Sequence, residues 1–575
     1  MPRKKVTNRD IAHILNEIAL IYEAEGVDFK PQAYQIAAKT VEELGEELSE
    51  LYRKCGTKCV DDLPGIGKSI TEKIEELVTT GHLKAYEKMK KKYPFDMVEM
   101  TAIEGVGPKT VVALYKKLKV KTIADLERVA KAGKIQKLGG FGKRSEEKIL
   151  EGIGFYKRSS GRALLSVALY RSQKIIERMQ KVKGVVHFDV CGSIRRRKET
   201  IGDLDFIVTT RKPKASIEAF KNLPEVEKVL EEGPSKVMVR FRFGMDGDLL
   251  ILKPETYGAA LVHFTGSKEH NIQLRSLAID KGWKLSEHGL VKAKKILAGK
   301  TEQEVYKKLG MVWIPPEMRE GKGEVAVALK GKIPSLIPYG SIKGDLQVQT
   351  KWTDGRDSIE DMAKAAKEAG LEYIAITDHT KTLAITGGLD EKGLAKQAKE
   401  IDALNKKIRG FKILKSAETN ILKDGKLDIK DEALKKLDLV CVAVHSHFNM
   451  TQKEMTERII RALKNPLVNI LFHPTGRILK QRPAYKLDIA KIIKAAKQYK
   501  VALEANAYPE RLDLKDAHIR MAVEEGVKLV INSDAHSTEH FQYLDLGVAQ
   551  ARRGWARKAD VLNTKTLESF LKALP

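Results

Sequence analysis

GSIRRRKETIGDLDFIV, residues 192–208, joins a glycine-serine turn, a run of three arginines and a strand-like segment that carries two aspartates. Because side chains alternate across a strand, Asp203 and Asp205 point to the same face. Neighbouring runs such as VVHFDVCG and VMVRFRF share this period of two. The region from about 160 to 312 is therefore predicted to contain a β-sheet.

A third aspartate, Asp248, lies in GDLLIL, the β-run next to this strand. Three carboxylates from adjacent strands repel one another unless cations lie between them, and two Mg²⁺ ions about 4 Å apart would remove that repulsion. For the two aspartates alone, an Asp-rich surface turn is the alternative. The flanking residues favour the metal site, because Gly192 and Ser193 form a small turn for a triphosphate that Arg196 can neutralise.

This region resembles the nucleotidyltransferase core of the family X DNA polymerases. The resemblance extends to HFTGSKEHNIQLR, residues 263–275, which lines the nucleotide pocket in that family. It implies that Phe264 and Gly266 lie near the sugar, Asn271 near the minor-groove edge of the base, and Arg275 near the template strand. Relatives carry a tyrosine where this chain has His263, which leaves its rejection of ribonucleotides open.

The reaction implied is in-line attack of a primer 3′-hydroxyl on the α-phosphate of a dNTP. Asp203 and Asp205 would hold both Mg²⁺ ions, and Asp248 would help to deprotonate the hydroxyl. Catalysis of this kind depends mostly on positioning and charge stabilisation.

The N-terminal part is helical and repeats one phrase three times: LPGIGKSITEKI (63–74), IEGVGPKTVVAL (103–114) and LGGFGKRSEEKI (138–149). Each has a G-x-G turn before a helix start, where free amides and the helix dipole favour a phosphate oxygen. One such phrase alone would more often be a helix-connecting turn. The three together resemble helix-hairpin-helix units, which hold the DNA backbone without reading bases. The predicted contact positions are Gly65, Gly67, Gly105, Gly107, Gly140 and Gly142.

The same region resembles the small lyase domain found in this family. Lys73 matches the lysine that attacks a sugar aldehyde as a Schiff base, while Lys30 and Tyr34 match residues that hold the 5′-phosphate of a gap. Asp61 and Asp62 stand where relatives are basic, which should weaken the phosphate pocket. The resemblance therefore implies 5′-phosphate binding with weak lyase activity.

Beyond residue 343, short strands alternate with lysine-rich helices, which indicates a parallel sheet closed into a barrel. Four of the strands run into ITDH, VAVHSH, ILFHP and INSDAH. A single histidine at such a place is usually a packed or surface residue. Barrel enzymes build their sites at the carboxyl ends of strands, so the repeated pattern predicts a metal cluster.

These motifs resemble the polymerase and histidinol phosphatase (PHP) domain, which binds three metal ions and cleaves phosphodiesters. The match implies up to three Mn²⁺ or Zn²⁺ ions on Asp354, His379, Glu418, His445, His473, Asp534 and His536. Gln347 and Gln349 occupy the positions of a histidine pair, and a neutral amide oxygen is a weaker ligand than imidazole for transition metals. One site should be weakened, which predicts a reduced or metal-selective 3′→5′ exonuclease. A lapsed nuclease is the alternative, and a ligand role for His447 stays open.

Composition bounds the class of protein. A chain of 575 residues exceeds the roughly 250 to 300 residues of one core. The net charge of +27 suits a polyanionic partner, although a lysine-rich soluble surface would give the same value. Four cysteines are too few for a disulfide framework, so we expect reduced thiols. No apolar run approaches the ~18 residues of a membrane span, and we expect a cytoplasmic monomer without membrane contact.

The predicted architecture is multidomain: a helix-hairpin-helix N-terminal region, an α+β palm like that of polymerase beta, and a C-terminal α/β PHP barrel that is a distorted TIM-like barrel. The predicted boundaries are 1–90 for a lyase-like DNA-binding domain, 91–155 for a fingers-like subdomain, 156–255 for the palm, 256–315 for a thumb-like nucleotide-selection subdomain, 316–343 for a linker and 344–575 for the barrel.

Together these features predict a DNA repair polymerase that fills gaps, binds gapped or primer-template DNA and dNTPs, and processes ends with its barrel. Two other classes remain open. One is a metal-dependent phosphatase of a small metabolite with a vestigial polymerase part, which would turn over a simple phosphate ester without DNA. The other is a non-catalytic scaffold that binds DNA ends, consistent with the charge and the two glutamines.

Overall fold

The computed structural model describes residues 6–44, 47–63, 65–159, 161–293, 295–383 and 386–574. Its contacts divide the chain into two compact units. The first is Met1–Ser160 with Lys480–Arg482, and the second is Gly161–Leu479 with Pro483–Pro575. Among the described residues, no helix combines the length and apolar character needed to cross a membrane.

The first unit is helical, as predicted. An N-terminal capping box between Thr7 and Asp10 starts its first helix. Two separate apolar cores hold the unit together, one around Leu15 and Ile74 and the other around Leu114 and Ile149. Its helices are α1 (Asn8–Glu25), α2 (Lys30–Glu43), α3 (Leu48–Cys55), α4 (Thr57–Asp61), α5 (Lys68–Thr80), α6 (Lys84–Lys92), α7 (Met97–Thr101), α8 (Pro108–Leu118), α9 (Ile123–Lys131) and α10 (Lys143–Ser159).

The expectation of four reduced thiols is wrong for one pair. Cys55 and Cys59 form a disulfide, with their Cα atoms 5.8 Å apart. The two helices α3 and α4 meet at Gly56, whose left-handed φ of 66° turns the chain and brings the two sulfurs together. Cys191 and Cys441 are free and buried.

The second unit begins with a five-stranded sheet in the order β2-β4-β7-β6-β5, in which only β4 and β7 are parallel. Phe188, Phe206 and Phe241 are among the side chains of its core. The elements are β1 (Ala163–Leu164), α11 (Leu165–Met179), β2 (Val185–Val190), α12 (Gly192–Arg195), β3 (Thr200–Ile201), β4 (Asp203–Thr210), α13 (Pro213–Lys221), β5 (Val226–Glu232), β6 (Lys236–Phe241) and β7 (Asp246–Leu252).

A smaller α/β region follows the sheet. It contains α14 (Tyr257–Thr265), α15 (Lys268–Asp280), β8 (Lys284–Ser286), β9 (Gly289–Lys292), β10 (Lys295–Ala298) and α16 (Glu302–Leu309). The stretch 316–343, predicted as a linker, includes α17 (Glu324–Leu329) and packs Val325 and Ala328 into the core of this region.

The last part forms two parallel sheets, β11-β12-β13 and β14-β15-β16-β17-β18. Two parallel bridges connect the sheets: Val348 at the end of β11 pairs with Ala535 beyond β18, and His379 beyond β12 pairs with Glu418 at the start of β14. These pairings close the predicted barrel. Its strands are β11 (Gly344–Val348), β12 (Tyr373–Ile376), β13 (Lys412–Lys415), β14 (Glu418–Asn420), β15 (Val440–Ala443), β16 (Val468–Leu471), β17 (Ala502–Asn506) and β18 (Leu529–Asn532). Its helices are α18 (Ile359–Glu368), α19 (Glu391–Lys407), α20 (Asp431–Leu434), α21 (Gln452–Leu463), α22 (Ile489–Tyr499), α23 (Asp516–Glu525), α24 (Leu544–Arg553) and α25 (Leu567–Leu571).

Candidate active sites

The three predicted carboxylates meet on two paired strands. In the parallel register of β4 and β7, Asp205 lies opposite Asp248 and Asp203 opposite Asp246. Asp203 and Asp205 line a cleft of about 520 Å³. Burial, together with the negative charges of Asp203 and Asp248, raises the pKa of Asp205 to about 7. Carboxylates crowded in this way fit divalent cations that prefer oxygen ligands.

Two residues near these carboxylates had no signal in the sequence. The Lys236 ammonium lies 2.8 Å from Asp248 Oδ2, from the neighbouring strand β6. Asp246 sits opposite Asp203 on β7, but it pairs with Arg240, whose Nη2 donates to Oδ2 at 2.9 Å. Because Asp246 is paired with Arg240, we do not count it with the three predicted metal-binding carboxylates.

The turn at Gly192 brings the backbone against the metal-binding face. Its φ is 57°, and a Cβ there would lie 1.9 Å from Asp205 Oδ2, so only glycine fits. Ser193 follows in α12 and lines the same cleft. The amide of Cys191, just before the turn, donates to the Asp205 carbonyl at 2.8 Å and ties the turn to β4.

Of the three consecutive arginines, Arg196 lines the cleft. Arg195 instead forms two hydrogen bonds to Glu302, at 2.8 and 3.0 Å. Burial opposes ionisation of Glu302, but Arg319 and Arg195 hold its pKa well below the usual range. Arg197 has a left-handed backbone and places its guanidinium 5.9 Å from the centre of the ring of Tyr339. Arg195 and Arg197 therefore hold the turn in place.

The predicted nucleotide segment also reaches the cleft. Phe264, Gly266 and Asn271 line it together with His263. Asn271 Nδ2 donates to the His263 carbonyl at 2.6 Å, which joins the start of α15 to the end of α14. Arg275 lies one helical turn beyond Asn271 and is not among the residues that line the cleft.

In the first unit, the three residues matched to a lyase domain lie around two packed tyrosine rings. The rings of Tyr22 and Tyr34 have centroids 5.7 Å apart. Lys30 Nζ lies 5.1 Å from the Tyr22 centroid and Lys73 Nζ 5.9 Å from the Tyr34 centroid. Lys73 also donates to the Ser69 carbonyl at 2.9 Å. The arrangement places one ammonium group beside each ring, Lys30 at Tyr22 and Lys73 at Tyr34.

The three hairpins share one backbone geometry. Their first glycines, Gly65, Gly105 and Gly140, have φ of 73°, 87° and 90°. Gly67 and Gly107 are the N-caps of α5 and α8. Apart from chain neighbours, no heavy atom of the described residues lies within 4 Å of a Cβ built at Gly67, Gly107 or Gly142. Each of these positions is therefore open on the side where a Cβ would stand. Pro64 of the first phrase lies outside the described residues.

The predicted ligands of the barrel gather around Glu418, which is 1% exposed. Its Oε1 lies 2.8 Å from His473 Nε2 and 3.0 Å from His445 Nε2. His379 bridges to a second group, with Nδ1 3.5 Å from Glu418 Oε2 and Nε2 3.5 Å from Asp354 Oδ2. His536 Nε2 approaches the same Asp354 oxygen at 3.7 Å. Two sets of donors are close enough to share an ion: Asp354, His379 and His536, and His379, Glu418 and His445.

Several of these donor atoms are buried without a hydrogen-bond partner among the described residues. They include His379 Nδ1 and His473 Nδ1, whereas His445 Nε2 faces Glu418 Oε1 at 3.0 Å. A buried imidazole nitrogen left unpaired costs free energy unless something binds it. The imidazole nitrogens and carboxylates therefore fit a transition metal. His447, in contrast, is exposed and has a left-handed backbone.

The two glutamines are buried in the same centre. Gln349 Nε2 donates to Glu418 Oε2 at 2.8 Å, while its Oε1 has no partner among the described residues. With its amide nitrogen turned to Glu504, Gln347 donates to Oε1 at 2.6 Å. Both amides can thus present N–H groups to carboxylates, as a cation would present positive charge.

Asp534 is engaged differently from the other predicted ligands. Its Oδ2 accepts from Asn506 Nδ2 at 3.1 Å and lies 3.1 Å from Arg511 Nε. Glu504, fully buried on β17, accepts from the amide of His473 at 2.7 Å. The pKa of Glu504 is raised, mainly because the carboxyl is buried and in addition because Asp534 is negatively charged. Sequence reasoning missed Glu504 and Arg511, because single polar residues in a strand or loop follow no motif.

Asn420 is a further residue that the sequence did not reveal. Its Oδ1 lies 2.7 Å from His445 Nδ1, while its Nδ2 donates to the Thr380 carbonyl at 3.1 Å. A partner on one imidazole nitrogen orients the ring and directs the other nitrogen to a metal. The position of Asn420 at the end of β14, two residues after Glu418, was the available signal.

Five family models match parts of the chain between residues 6 and 508. They are a helix-hairpin-helix domain at 6–83, a SAM-like helix-hairpin-helix tandem at 97–154, a DNA polymerase beta palm at 169–240, a DNA polymerase beta thumb at 260–320 and a PHP domain at 345–508.

Individual relatives agree with these matches. The DNA polymerase/3′-5′ exonuclease PolX of Bacillus subtilis is 38% identical over 575 residues, which cover 98% of this chain and 99% of the relative. A probable phosphatase of a Thermoanaerobacter species is 34% identical over 31% of this chain and 72% of its own length. DNA polymerase lambda of Arabidopsis thaliana is 27% identical over 54% of this chain and 62% of its own length.

Proposed function

We propose that this chain, which belongs to the family X DNA polymerases that carry a PHP domain, fills gaps in DNA by template-directed nucleotide addition. The observation that carries this proposal is the meeting of Asp203, Asp205 and Asp248 beside the cleft that Arg196 lines. The substrates are dNTPs and a primer on gapped DNA.

Each residue of the cleft has a separate task in this proposal. Asp203 and Asp205 would hold two Mg²⁺ ions, which would stabilise the charge that develops on the phosphates. Asp248 accepts the proton of the primer 3′-hydroxyl. Arg196 pairs with the triphosphate, and the Gly192 turn lets the backbone approach it closely. Phe264 and Gly266 flank the sugar, Asn271 the base and Arg275 the template strand.

The first unit holds DNA by contacts with the sugar-phosphate backbone of the nucleic acid. The three hairpins present glycine turns and helix N-termini to phosphates at Gly65, Gly67, Gly105, Gly107, Gly140 and Gly142. Lys30 and Tyr34 hold the 5′-phosphate at the far side of the gap.

Lys73 is positioned beside Tyr34, and we propose weak lyase activity there. Borohydride trapping on an abasic-site substrate tests it, with Lys73→Ala as the comparison; a strong adduct would contradict weak activity.

Primer extension on gapped DNA with Mg²⁺ tests the polymerase proposal. Wild type should extend the primer, and Asp205→Ala should lower the rate by at least about a thousandfold, in line with the loss of a metal-held phosphoryl transfer site. Asp246→Ala is the matched control, because it removes a carboxylate of the same strand pair that faces Arg240. Absence of extension by wild type would favour a DNA end-binding scaffold.

The barrel supports a second activity, 3′→5′ exonuclease action on DNA. The observation that favours it is the set of buried, unpartnered imidazole nitrogens around Glu418. His379, His445, His473 and His536 would hold Mn²⁺ or Zn²⁺ with Asp354, Glu418 and Asp534, up to three ions. Gln347 and Gln349 would weaken one of the three metal sites, so we propose a reduced or metal-selective nuclease.

Degradation of a 3′-labelled primer with Mn²⁺ tests the nuclease. His445→Ala should abolish cleavage, whereas His447→Ala should not change it, because His447 is exposed two residues further on. Cleavage that appears only in Gln349→His would mean that the natural barrel is inactive. Turnover of p-nitrophenyl phosphate at the same rate with and without DNA would instead favour the phosphatase alternative.

A further inference from the structure

One segment lies between the barrel and the nucleotide cleft. Residues 317–324, which we call the strap, run from the α16 region into α17. On the cleft side, the Arg319 carbonyl accepts from the Ser267 amide at 2.9 Å, and Glu324 lies 2.7 Å from His270 Nδ1. On the barrel side, Arg520 of α23 donates to the Lys322 carbonyl at 3.3 Å. The strap therefore contacts both domains.

On the barrel side, Arg553, the last residue of α24, contacts both the strap and the turn that carries Arg196. Its side chain is 3% exposed, and Nη1 lies 3.0 Å from Glu320 Oε1 of the strap. The same nitrogen donates to the backbone carbonyl of Arg196 at 2.7 Å. Its Nη2 lies 2.6 Å from Asp516 Oδ2. Arg553 thus contacts Arg196 directly, at its backbone carbonyl, and indirectly, through the carboxylate of Glu320.

Glu320 in turn holds the side chain of Arg196. Arg196 Nε lies 3.1 Å from the same Glu320 Oε1, and both side chains are nearly buried, at 13% and 12% exposure. Arg196 Nη1 donates to the Thr265 carbonyl. These contacts engage Nε and Nη1 on the protein side, while the side chain lines the cleft.

We propose that Arg553 is a positioning residue for nucleotide binding, which acts through Glu320 on Arg196. The inference rests on the proposed polymerase function. Arg553 and Arg196 share one carboxylate oxygen, so Arg553 supplies part of the charge that balances Glu320. Without Arg553, Glu320 is balanced by Arg196 and by Lys198, which is 3.8 Å from the other oxygen. Arg196 is then bound more tightly to Glu320 and is less available to a triphosphate.

Arg552 provides a matched control on the same helix. Its Nε lies 2.7 Å from Glu317 Oε1 of the strap, and its Nη1 donates to the Ile337 carbonyl at 2.8 Å. It is a barrel arginine paired with a strap glutamate, and its guanidinium also lies 4.9 Å from the centre of the Tyr339 ring. None of these described contacts is with Glu320 or Arg196. A purely structural role of such pairs would affect both variants alike.

Steady-state primer extension on gapped DNA tests the proposal with Arg553→Gln and Arg552→Gln in the full chain. We expect Arg553→Gln to raise the KM for dNTP about tenfold while kcat changes less than about twofold, in the range of ordinary coupling between sites. Arg552→Gln should leave both constants near the wild-type values. Equal changes of KM in the two variants would overturn the proposal.

A double-mutant cycle separates positioning from general damage. In an Arg196→Lys background, Arg553→Gln should raise KM by less than about twofold, because the residue through which it acts has changed. A full tenfold increase in that background would overturn the pathway through Arg196. Melting temperature and barrel metal content establish that both single variants fold. If wild type does not extend a primer at all, it is the polymerase function that fails.

Discussion

At the scale of single residues, Asp205 makes the free cleft sensitive to pH. An ordinary aspartate has a pKa of about 3.9, and burial with Asp203 and Asp248 raises the pKa of Asp205 to about 7. The folded state therefore binds this proton more tightly than the unfolded chain. Stability without metal falls as pH rises from about 4 to 7, and the full penalty is present above pH 7.

Asp205→Asn should accordingly stabilise the protein in EDTA at pH 8, by about 2 kcal/mol, with a smaller gain at pH 5. Urea unfolding at the two pH values measures it. Asp246→Asn is the comparison, because its ion pair with Arg240 is about 40% exposed and gives no gain when removed. A stabilisation of Asp205→Asn that is equal at both pH values would contradict the proposed repulsion.

Asn420 makes a second prediction at this scale. Asn420→Ala removes the partner of His445 Nδ1, which should weaken metal binding by the barrel about 10- to 100-fold. Metal retained after dialysis against graded chelator measures this. Asn405→Ala is the control, since in the part of the chain that the structure describes the Asn405 side chain bonds the backbone of Ile413, at 2.8 and 2.9 Å, and no predicted metal ligand. Similar metal loss in both variants would point to general destabilisation.

The sequence predicted residues of repeated type and spacing better than isolated ones. Asp203 and Asp205 were predicted because strand alternation relates them, and His379, His445, His473 and His536 because each follows a strand. Lys236 and Arg511 had no such relation, since their partners are set by strand pairing and loop geometry. The arginine run shows the limit: three identical residues separate into one that lines the cleft and two that hold the turn.

At the scale of elements, the hairpins depend on glycine at one position more than at another. Gly105 has φ of 87°, which a side chain tolerates poorly, whereas Gly107 has an ordinary φ of −80° with open space around its Cβ position. Gly105→Ala should destabilise the first unit by about 1 to 2 kcal/mol.

Gly107→Ala should change the free energy of unfolding by less than about 0.5 kcal/mol. Urea unfolding of both variants, followed by circular dichroism, gives the comparison. Equal losses would mean that the turn does not require the left-handed geometry. The sequence predicted all three hairpins from the G-x-G pattern, but not which glycine carries the constraint, because φ depends on how the flanking helices pack.

At the scale of the whole molecule, the palm and the barrel share apolar contacts. Leu479, Leu512 and Leu546 of the barrel belong to the core cluster of the palm sheet. Arg477 adds two hydrogen bonds to Glu199, at 3.2 and 2.8 Å. The sequence placed these two domains on either side of a linker, because contacts between segments hundreds of residues apart leave no local pattern.

Calorimetry should therefore show two transitions: one for the helical unit, and one in which palm and barrel unfold together. The two units have separate cores, which is the condition for independent unfolding. A fragment of residues 161–575 should retain the second transition unchanged. Separate melting of palm and barrel in that fragment would contradict the shared core.

The position of α24 also bears on how such a chain can change over time. Its last residue supports the loop that carries Arg196, so the barrel has a use that does not depend on its metals. Histidines can then give way to glutamines in the metal centre while the helix and its arginine are still maintained by selection for DNA synthesis. A barrel with a weakened nuclease would in this way still be retained because it supports nucleotide binding.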